Sequence, residues 1–196
     1  MILGVLALQG DFKEHISSFI KLGIDTVEVR KCEELKNLNG LVIPGGESTT
    51  IIKLIDTYGF RDAILESVNR GMNLWGTCAG MIVASKKLTD PYPEPLGLID
   101  IKVSRNWYGR QINSFEVDIP FKNIGPKLFP AIFIRAPFIS SVNESDDSIE
   151  ILSRLADGTP VALTQRNENY KALVTSFHPE LTNDLRVHQY FVQMSK

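Results

Sequence analysis

The sequence predicts a three-layer α/β sandwich with a mixed, mostly parallel central sheet and an antiparallel extension. In the first half of the chain, short apolar runs alternate with amphipathic runs, which is the pattern of parallel strands covered by helices. Beyond residue 98 the apolar runs follow one another without helical periodicity, as in strands joined directly by turns. No change in composition divides the chain, and we expect one domain over residues 1–196.

The elements can be predicted in order along the chain. In the first half we expect strands at 2–8, 25–29, 41–43 and 73–75. The helices between them present apolar faces formed by Phe12, Ile16, Phe19 and Ile20, by Ile51, Leu54, Ile55 and Tyr58, and by Phe60, Ala63, Ile64 and Val68. Asp11 and Glu14 have the spacing of a capping box, and Gly71 follows the third helix where a C-terminus favours glycine. After a short helix over 81–84 we expect strands at 98–103, 112–117, 131–134, 149–152, 161–165 and 172–177, and a last helix over 183–194.

Charge and cysteine content exclude several classes of partner. The formal net charge is −2, from 21 basic and 23 acidic residues that are mixed along the chain. Without a basic block, binding to nucleic acid or to an anionic membrane is disfavoured. The apolar run at the N-terminus is too short to span a bilayer. The two cysteines, Cys32 and Cys78, lie in different contexts, so we expect no disulfide framework and a cytoplasmic location.

Cys78 lies at the centre of the motif Gly-Thr-Cys-Ala-Gly, residues 76–80. An apolar run precedes the motif and a helix-forming run follows it, which predicts a strand, a sharp turn and a helix with the thiol at the apex. A thiol at such a turn is placed to act as a nucleophile. Taken alone, a cysteine is more often a small buried hydrophobic side chain, and the other motifs of the chain reverse that preference.

A cysteine nucleophile needs a base, and the chain contains His15, His178 and His188. His15 and His188 lie within predicted helices, where a partly buried or solvated role is favoured. His178 instead follows a predicted strand and precedes Pro179 and Glu180, so an extended backbone would place His178 and Glu180 on one side. Cys78, His178 and Glu180 therefore form a candidate nucleophile, base and orienting carboxylate.

Acyl chemistry at Cys78 also needs hydrogen-bond donors for the developing oxyanion. The backbone N–H of Ala79 is one candidate, and Gly46 in the glycine-containing turn 44–48 is the second. Without that context, a plain connection between a strand and a helix is the favoured interpretation of the turn. It lacks the Gly-Lys-Ser/Thr sequence and the spaced glycines of phosphate-binding loops.

Together these motifs resemble the class I, triad-type glutamine amidotransferases, and more narrowly the glutaminase subunits of two-component pyridoxal 5′-phosphate synthases. The matching segments extend over almost the whole chain. They are residues 6–11 with Glu14 and His15, 43–50, 76–80, 105–106, 108–111, 114–116, 133–137 and 176–181. Trp107 departs from the pattern, because the family more often has a small residue there.

The resemblance implies a flavodoxin-like fold and hydrolysis of L-glutamine to L-glutamate and ammonia, with no cofactor and no metal ion. It implies Cys78 as nucleophile with His178 and Glu180, and an oxyanion hole at Gly46 and Ala79. The implied glutamine-binding residues are Gly46, Glu47, Ser48, Arg105, Ile134 and Arg135. The implied partner is a separate pyridoxal 5′-phosphate synthase subunit that accepts the ammonia, expected as a dodecameric core decorated by this subunit.

Two other hypotheses remain open from the residues. A cytosolic cysteine hydrolase or peptidase could use the same turn and the same triad, because fold does not determine substrate. Arg105 and Arg135 argue against it, since a peptidase has no obvious use for two arginines that bind the carboxylate of a free amino acid. A binding subunit without activity is disfavoured by the complete triad.

Overall fold

The computed structural model describes residues 1–105 and 114–196. Its strands are β1 Ile2–Leu6, β2 Asp25–Val29, β3 Gly40–Ile43, β4 Asn73–Thr77, β5 Ser85–Leu88, β6 Ile99–Ser104, β7 Phe115–Ile119, β8 Phe129–Phe133, β9 Phe138–Val142, β10 Ile149–Arg154, β11 Pro160–Arg166 and β12 Lys171–Thr175. Its α-helices are α1 Phe12–Lys21, α2 Ser48–Thr57, α3 Phe60–Asn69, α4 Ala79–Ala84 and α5 Arg186–Met194. Cys32–Leu35 and Pro179–Leu181 form short 3-10 helices.

Seven strands form the central sheet in the order β10-β11-β12-β4-β3-β1-β2. The five strands from β12 to β2 are parallel, and β11 and β10 continue the sheet in antiparallel orientation. Two small sheets, β5-β6-β9 and β7-β8, lie outside it. The predicted fold class, a mixed and mostly parallel sheet with an antiparallel extension, is confirmed.

Alternating side chains of the parallel strands pack into two apolar cores, one on each face of the sheet. Leu41 and Leu74 belong to the core that contains residues of α2, α3 and α4. Val42 and Trp75, which are their neighbours in sequence, belong to the core that contains Phe19 and residues of α5. The period of two along a strand thus produces the three layers.

Several local predictions were wrong or incomplete. Asp11 makes no capping hydrogen bond with its side chain, which points instead toward His178. Ile20 and Tyr58 are exposed, Tyr58 because it lies beyond the last turn of α2. The strands β5 and β9 were not expected, because their runs are short and mostly polar. The last helix begins at Arg186 rather than at 183, and part of the predicted strand 112–117 lies outside the described residues.

Gly71 lies just beyond α3 with a φ of 106°, as the C-terminal glycine prediction requires. In the part of the chain that the structure describes, no helix has both the length and the apolar character needed to cross a membrane.

Candidate active site

A cavity of about 470 Å³ opens at the carboxyl ends of the adjacent strands β12, β4, β3 and β1. Loops that follow these ends converge at one edge of the sheet, which is where parallel α/β proteins bind ligands. All predicted site residues except Glu180 line this cavity, namely Gly46, Glu47, Ser48, Cys78, Ala79, Arg105, Ile134, Arg135 and His178. Glu180 lies directly behind His178.

Cys78 occupies a sharp turn between β4 and α4. Its backbone has a φ of 48° and a ψ of −108°, a conformation that L-residues rarely adopt. The turn closes only because its flanking residues are glycines: a Cβ on Gly76 would lie 2.4 Å from the Gly80 carbonyl oxygen, and one on Gly80 would lie 1.9 Å from the Ile43 carbonyl oxygen. The Cys78 N–H donates to the Thr175 carbonyl at 2.8 Å, which joins the turn to β12.

His178 and Glu180 are in contact through a local geometry that differs from the extended one predicted. The strand β12 ends at Thr175, and Pro179–Leu181 form a 3-10 helix that folds the Glu180 carboxylate back onto the imidazole. His178 Nδ1 lies 2.7 Å from Glu180 Oε1, and both side chains are buried. The His178 N–H donates to the Ile132 carbonyl at 2.8 Å, so β8 helps to hold the loop in place.

These contacts determine the charge state of the imidazole. Burial alone would lower the pKa of His178, but its interactions with the Cys78 sulfur and with Glu180 outweigh that effect and raise the pKa to about 10. Burial raises the pKa of Glu180, and its hydrogen bond to His178 opposes the rise. At neutral pH the site therefore holds an imidazolium beside the sulfur.

The turn that contains Gly46 is tied to the segment that follows β1. The Glu47 N–H donates to Gln9 Oε1 at 2.8 Å, and the Asp11 N–H donates to the Gly45 carbonyl at 3.0 Å. A Cβ on Gly45 would lie 2.4 Å from His178 Cε1, so the turn lies directly against the imidazole. On the other side of the cavity, the Cys78 thiol approaches the Ile134 carbonyl oxygen at 3.9 Å.

Three of the residues implied for glutamine binding, Glu47, Arg105 and Arg135, are charged and line the cavity. Arg105 Nη2 lies 3.9 Å from Glu47 Oε1, while Arg105 Nη1 donates to the Tyr92 carbonyl at 3.3 Å. Arg135 is exposed at the cavity wall, and its φ of 43° is rare for a residue other than glycine. Asn106 and the unusual Trp107 lie outside the described residues.

Sequence reasoning gave no catalytic or binding role to Asp11 or His15, and it did not predict how Gln9 holds the Gly46 turn. Asp11 Oδ2 lies 3.7 Å from His178 Nδ1, and Gln9 holds the Gly46 turn from the neighbouring loop. His15, which was expected to be partly buried or solvated, is fully buried with Nε2 at 3.3 Å from Glu180 Oε2. A signal for His15 existed, since positions 12, 15, 16 and 19 share one helical face and the other three are apolar.

Asp11, His178 and Glu180 offer one atom each within 4.8 Å of one another, the only such group of possible metal ligands in residues 1–105 and 114–196. His178 Nδ1 is already hydrogen-bonded to Glu180, which is the arrangement of an oriented base rather than of a metal ligand. We assign no metal to this group.

Comparison with known proteins identifies the family. Residues 5–196 match the family described as the SNO glutamine amidotransferase family. The chain belongs to this family. A pyridoxal 5′-phosphate synthase subunit PdxT of Dehalococcoides mccartyi is 52% identical over 198 residues, covering 100% of this chain and 98% of that protein. The PdxT of Thermosipho africanus is 47% identical over 196 residues, with both chains covered completely.

Solved structures agree with the family assignment. A crystal structure described as a glutamine amidotransferase superposes with a TM-score of 0.88 at 44% identity, covering 100% of this chain and 99% of the other. PurLQS from Thermotoga maritima superposes with a TM-score of 0.67 at 14% identity, covering 100% of this chain and 98% of the other, and shows the fold alone. The resemblance inferred from the sequence motifs is confirmed.

Proposed function

We propose that this SNO-family chain is a glutaminase that hydrolyses L-glutamine to L-glutamate and ammonia and supplies the ammonia to a separate pyridoxal 5′-phosphate synthase subunit. The observation that carries the proposal is one cavity lined by Cys78 at a strained turn, by His178 and by two arginines. An arginine is the natural partner of the α-carboxylate of a free amino acid. The whole chain, residues 1–196, acts as one glutamine amidotransferase domain.

The first half-reaction forms a γ-glutamyl thioester. The Cys78 thiolate attacks the side-chain amide carbon of glutamine, and the oxyanion that develops accepts hydrogen bonds from the N–H groups of Gly46 and Ala79. The His178 imidazolium gives its proton to the amide nitrogen, the C–N bond breaks, and ammonia leaves. Glu180 holds the imidazole and stabilises its charged form.

The second half-reaction returns the enzyme to its starting state. Neutral His178 removes a proton from water, the resulting hydroxide attacks the thioester carbonyl, and the C–S bond breaks to release glutamate and the thiolate. Two steps with moderate barriers replace one difficult amide hydrolysis. The imidazolium and the thiolate are both restored, so the cycle consumes only glutamine and water.

The proposed partner follows from the relatives, which are named as subunits of pyridoxal 5′-phosphate synthase. We propose that the acceptor subunit forms a dodecameric core to which this chain binds, and that both work in the cytoplasm, where the thiols of Cys32 and Cys78 stay reduced. Neither nucleic acid nor a membrane takes part.

The test uses a glutamine-like electrophile on the complete chain, with the labelled residue identified by mass spectrometry. We expect labelling at Cys78 and protection by free L-glutamine, together with glutamine-dependent ammonia release when the synthase subunit is added. Cys78→Ala should abolish both signals, and Cys32→Ser is the matched control that keeps both.

The same experiment separates the rival activities. Protection by peptides but not by free glutamine would indicate a cysteine peptidase. Ammonia release at the normal rate by Cys78→Ala or His178→Asn would overturn the mechanism.

A further inference from the structure

A row of polar side chains runs from the core to the back of the candidate triad. His188 Nε2 lies 3.0 Å from His15 Nδ1, and His15 Nε2 lies 3.1 Å from Thr77 Oγ1 and 3.3 Å from Glu180 Oε2. His15, Thr77 and His188 are completely buried, and the Glu180 side chain is buried as well. The mechanism proposed above uses only the Oε1 side of Glu180.

Glu180 Oε2 needs a donor from somewhere, because a carboxylate oxygen that is buried without one is costly. Within the described residues Oε2 makes no hydrogen bond of good distance and angle, and His15 Nε2, 3.3 Å away, is the ring nitrogen that faces it. A proton on His15 Nε2 would serve both Oε2 and Thr77 Oγ1 as acceptors. A bare Nε2 would instead place a lone pair against a negative oxygen.

His188 determines which tautomer His15 adopts. When His15 carries its proton on Nε2, its Nδ1 accepts from His188 Nε2–H, and His188 Nδ1 is left as a bare lone pair without a partner. If His15 instead carried its proton on Nδ1 and donated it to His188 Nε2, the proton of His188 would sit on Nδ1 and be buried without an acceptor. A donor that finds no acceptor is the worse outcome, so the arrangement favours the proton on His15 Nε2.

Packing holds His15 in this orientation. Its ring meets Trp75 edge-on with centroids 5.3 Å apart, and His188 packs edge-on against Phe19 and Trp75 at 5.2 Å and 5.0 Å. The His15 ring extends from α1, which packs against the 3-10 helix Pro179–Leu181, to the Glu180 carboxylate.

We propose that His15 is a positioning residue of the active site: its Nε2–H binds the second oxygen of Glu180, keeps this carboxylate charged and directed at His178, and is held in that tautomer by His188. His15 touches no substrate and acts through Glu180. The groups that face the Glu180 carboxylate are then His178, His15 and Asp11. The inference rests on the proposed role of the triad, and its test is chosen to be readable without glutamine.

The first measurement is the rate of Cys78 alkylation by iodoacetamide as a function of pH, in the complete chain with Cys32→Ser. His15→Leu removes the donor to Glu180, so the carboxylate binds a proton more readily. His178 is then less often paired with a negative charge, and the Cys78 thiolate that its imidazolium stabilises forms at higher pH. We expect the midpoint to rise by about one pH unit, equivalent to about a tenfold loss of thiolate stabilisation. His15→Gln, whose amide N–H can reach the same oxygen, should restore most of the shift.

Phe19→Leu is the matched control, because it disturbs the same buried cluster without touching Glu180. We expect it to lower stability and to leave the alkylation midpoint unchanged. An unchanged midpoint in His15→Leu, or an equal shift in Phe19→Leu, would overturn the proposal.

A second measurement needs no variant. The ¹⁵N chemical shifts of the His15 ring in the unmodified protein should report a proton on Nε2 and none on Nδ1, and the opposite tautomer would overturn the proposal. If these tests succeed while ammonia release is absent, the failure belongs to the proposed substrate and not to His15.

Discussion

The Nδ1 atom of His178 lies 2.7 Å from Oε1 of Glu180, although only one residue separates them and no strand joins them. The 3-10 helix Pro179–Leu181 makes this short contact possible, because it reverses the chain directly after the histidine. Both groups are buried, so the charge of one depends strongly on the other.

Glu180→Gln should slow catalysis and change its pH dependence. The amide keeps the shape of the carboxylate but carries no charge, so the pKa of His178 should fall from about 10 toward its ordinary value. The imidazolium that protonates the departing amide nitrogen is then lost at a lower pH, and the alkaline limb of kcat/KM should move to lower pH. We expect kcat to fall by about 10²- to 10⁴-fold, measured as ammonia release with the synthase present.

The exposed Glu66→Gln is the matched control, since Glu66 lies on the surface of α3 in an ion pair with Arg70. An alkaline limb that stays in place in Glu180→Gln would contradict the assigned role of Glu180.

Gly45→Ala should reduce activity by about 10²-fold or more while leaving the fold intact. The added Cβ would lie 2.4 Å from His178 Cε1, so the imidazole must move away from Cys78 or the turn must move away from the cavity. Either change misplaces catalytic groups by a distance that costs about 10²-fold or more. The measurement is kcat together with the unfolding transition.

Gly23→Ala provides the comparison, because its Cβ would meet nothing within 4 Å and its φ of 70° costs about 1–2 kcal/mol of stability only. Full activity of Gly45→Ala would show that Gly45 does not lie in contact with His178 in the working enzyme.

Arg105→Met and Arg135→Met should weaken glutamine binding more than they slow the reaction. Both residues line the cavity, and a charge-assisted bond to the α-carboxylate forms in the ground state and the transition state alike. We expect KM to rise by about tenfold or more with kcat nearly unchanged.

Arg30→Met, at a surface ion pair with Glu28, serves as the control for losing an arginine. A fall of kcat at constant KM in either cavity variant would assign that arginine to the chemical step instead.

Addition of the synthase subunit should raise glutamine turnover severalfold. The Gly45 carbonyl is held by the Asp11 N–H, and a trans peptide points its carbonyl and the following N–H in opposite directions. Any reorientation of the Gly46 N–H on docking therefore requires that the segment after β1 release the turn, and binding of a partner can supply that change. Ammonia release by the chain alone at the rate of the complex would rule this out.

His188→Gln should reduce the acid sensitivity of folding. Burial lowers the pKa of His188 to about 3, while the unfolded chain titrates near 6.5. Between these values the unfolded state binds a proton that the folded state does not, so stability falls as pH falls. Between pH 6.5 and pH 5, His188 lowers the free energy of unfolding by about 2 kcal/mol. Urea unfolding should therefore show a smaller loss of stability over this pH range in the variant than in the unmodified protein.

His15 also has a pKa well below its ordinary value, because of burial and then of its neighbours His188 and His178, and it stays in both proteins. Because His188 is one of those causes, the difference between the two proteins reports proton binding by His188 together with its effect on the pKa of His15. Equal acid sensitivity would mean that His188 binds its proton in the folded state.

Much of the fold was accessible from local patterns. Alternating apolar runs predicted the parallel strands, and the motif around Cys78 predicted a tight turn. In the structure Gly76 lies against the backbone of Gly80, and Gly80 lies against the backbone of Ile43. The patterns failed where segments are short and polar, as in β5 and β9, because such strands are stabilised by pairing with β6 and carry little periodic signal.

The features of the candidate site also fall into those that the sequence indicates and those that it does not. Cys78, His178 and Gly46 each follow a strand of the parallel sheet, so their convergence is a consequence of topology that the sequence indicates. The 3-10 turn that brings Glu180 onto His178 was not predicted, because the residue pattern favoured an extended backbone there.

The sequence by itself determined the layers of this protein and indicated the candidate residues of its site, because strand periodicity and the residue types at strand ends are local properties. Only the tertiary structure decided that His15 reaches Glu180 and that His188 lies behind it, although 173 residues separate the two histidines. Their contact depends on how α1 and α5 pack against the same face of the sheet. No periodicity or spacing encodes it, because a buried polar pair is specified by three-dimensional packing alone.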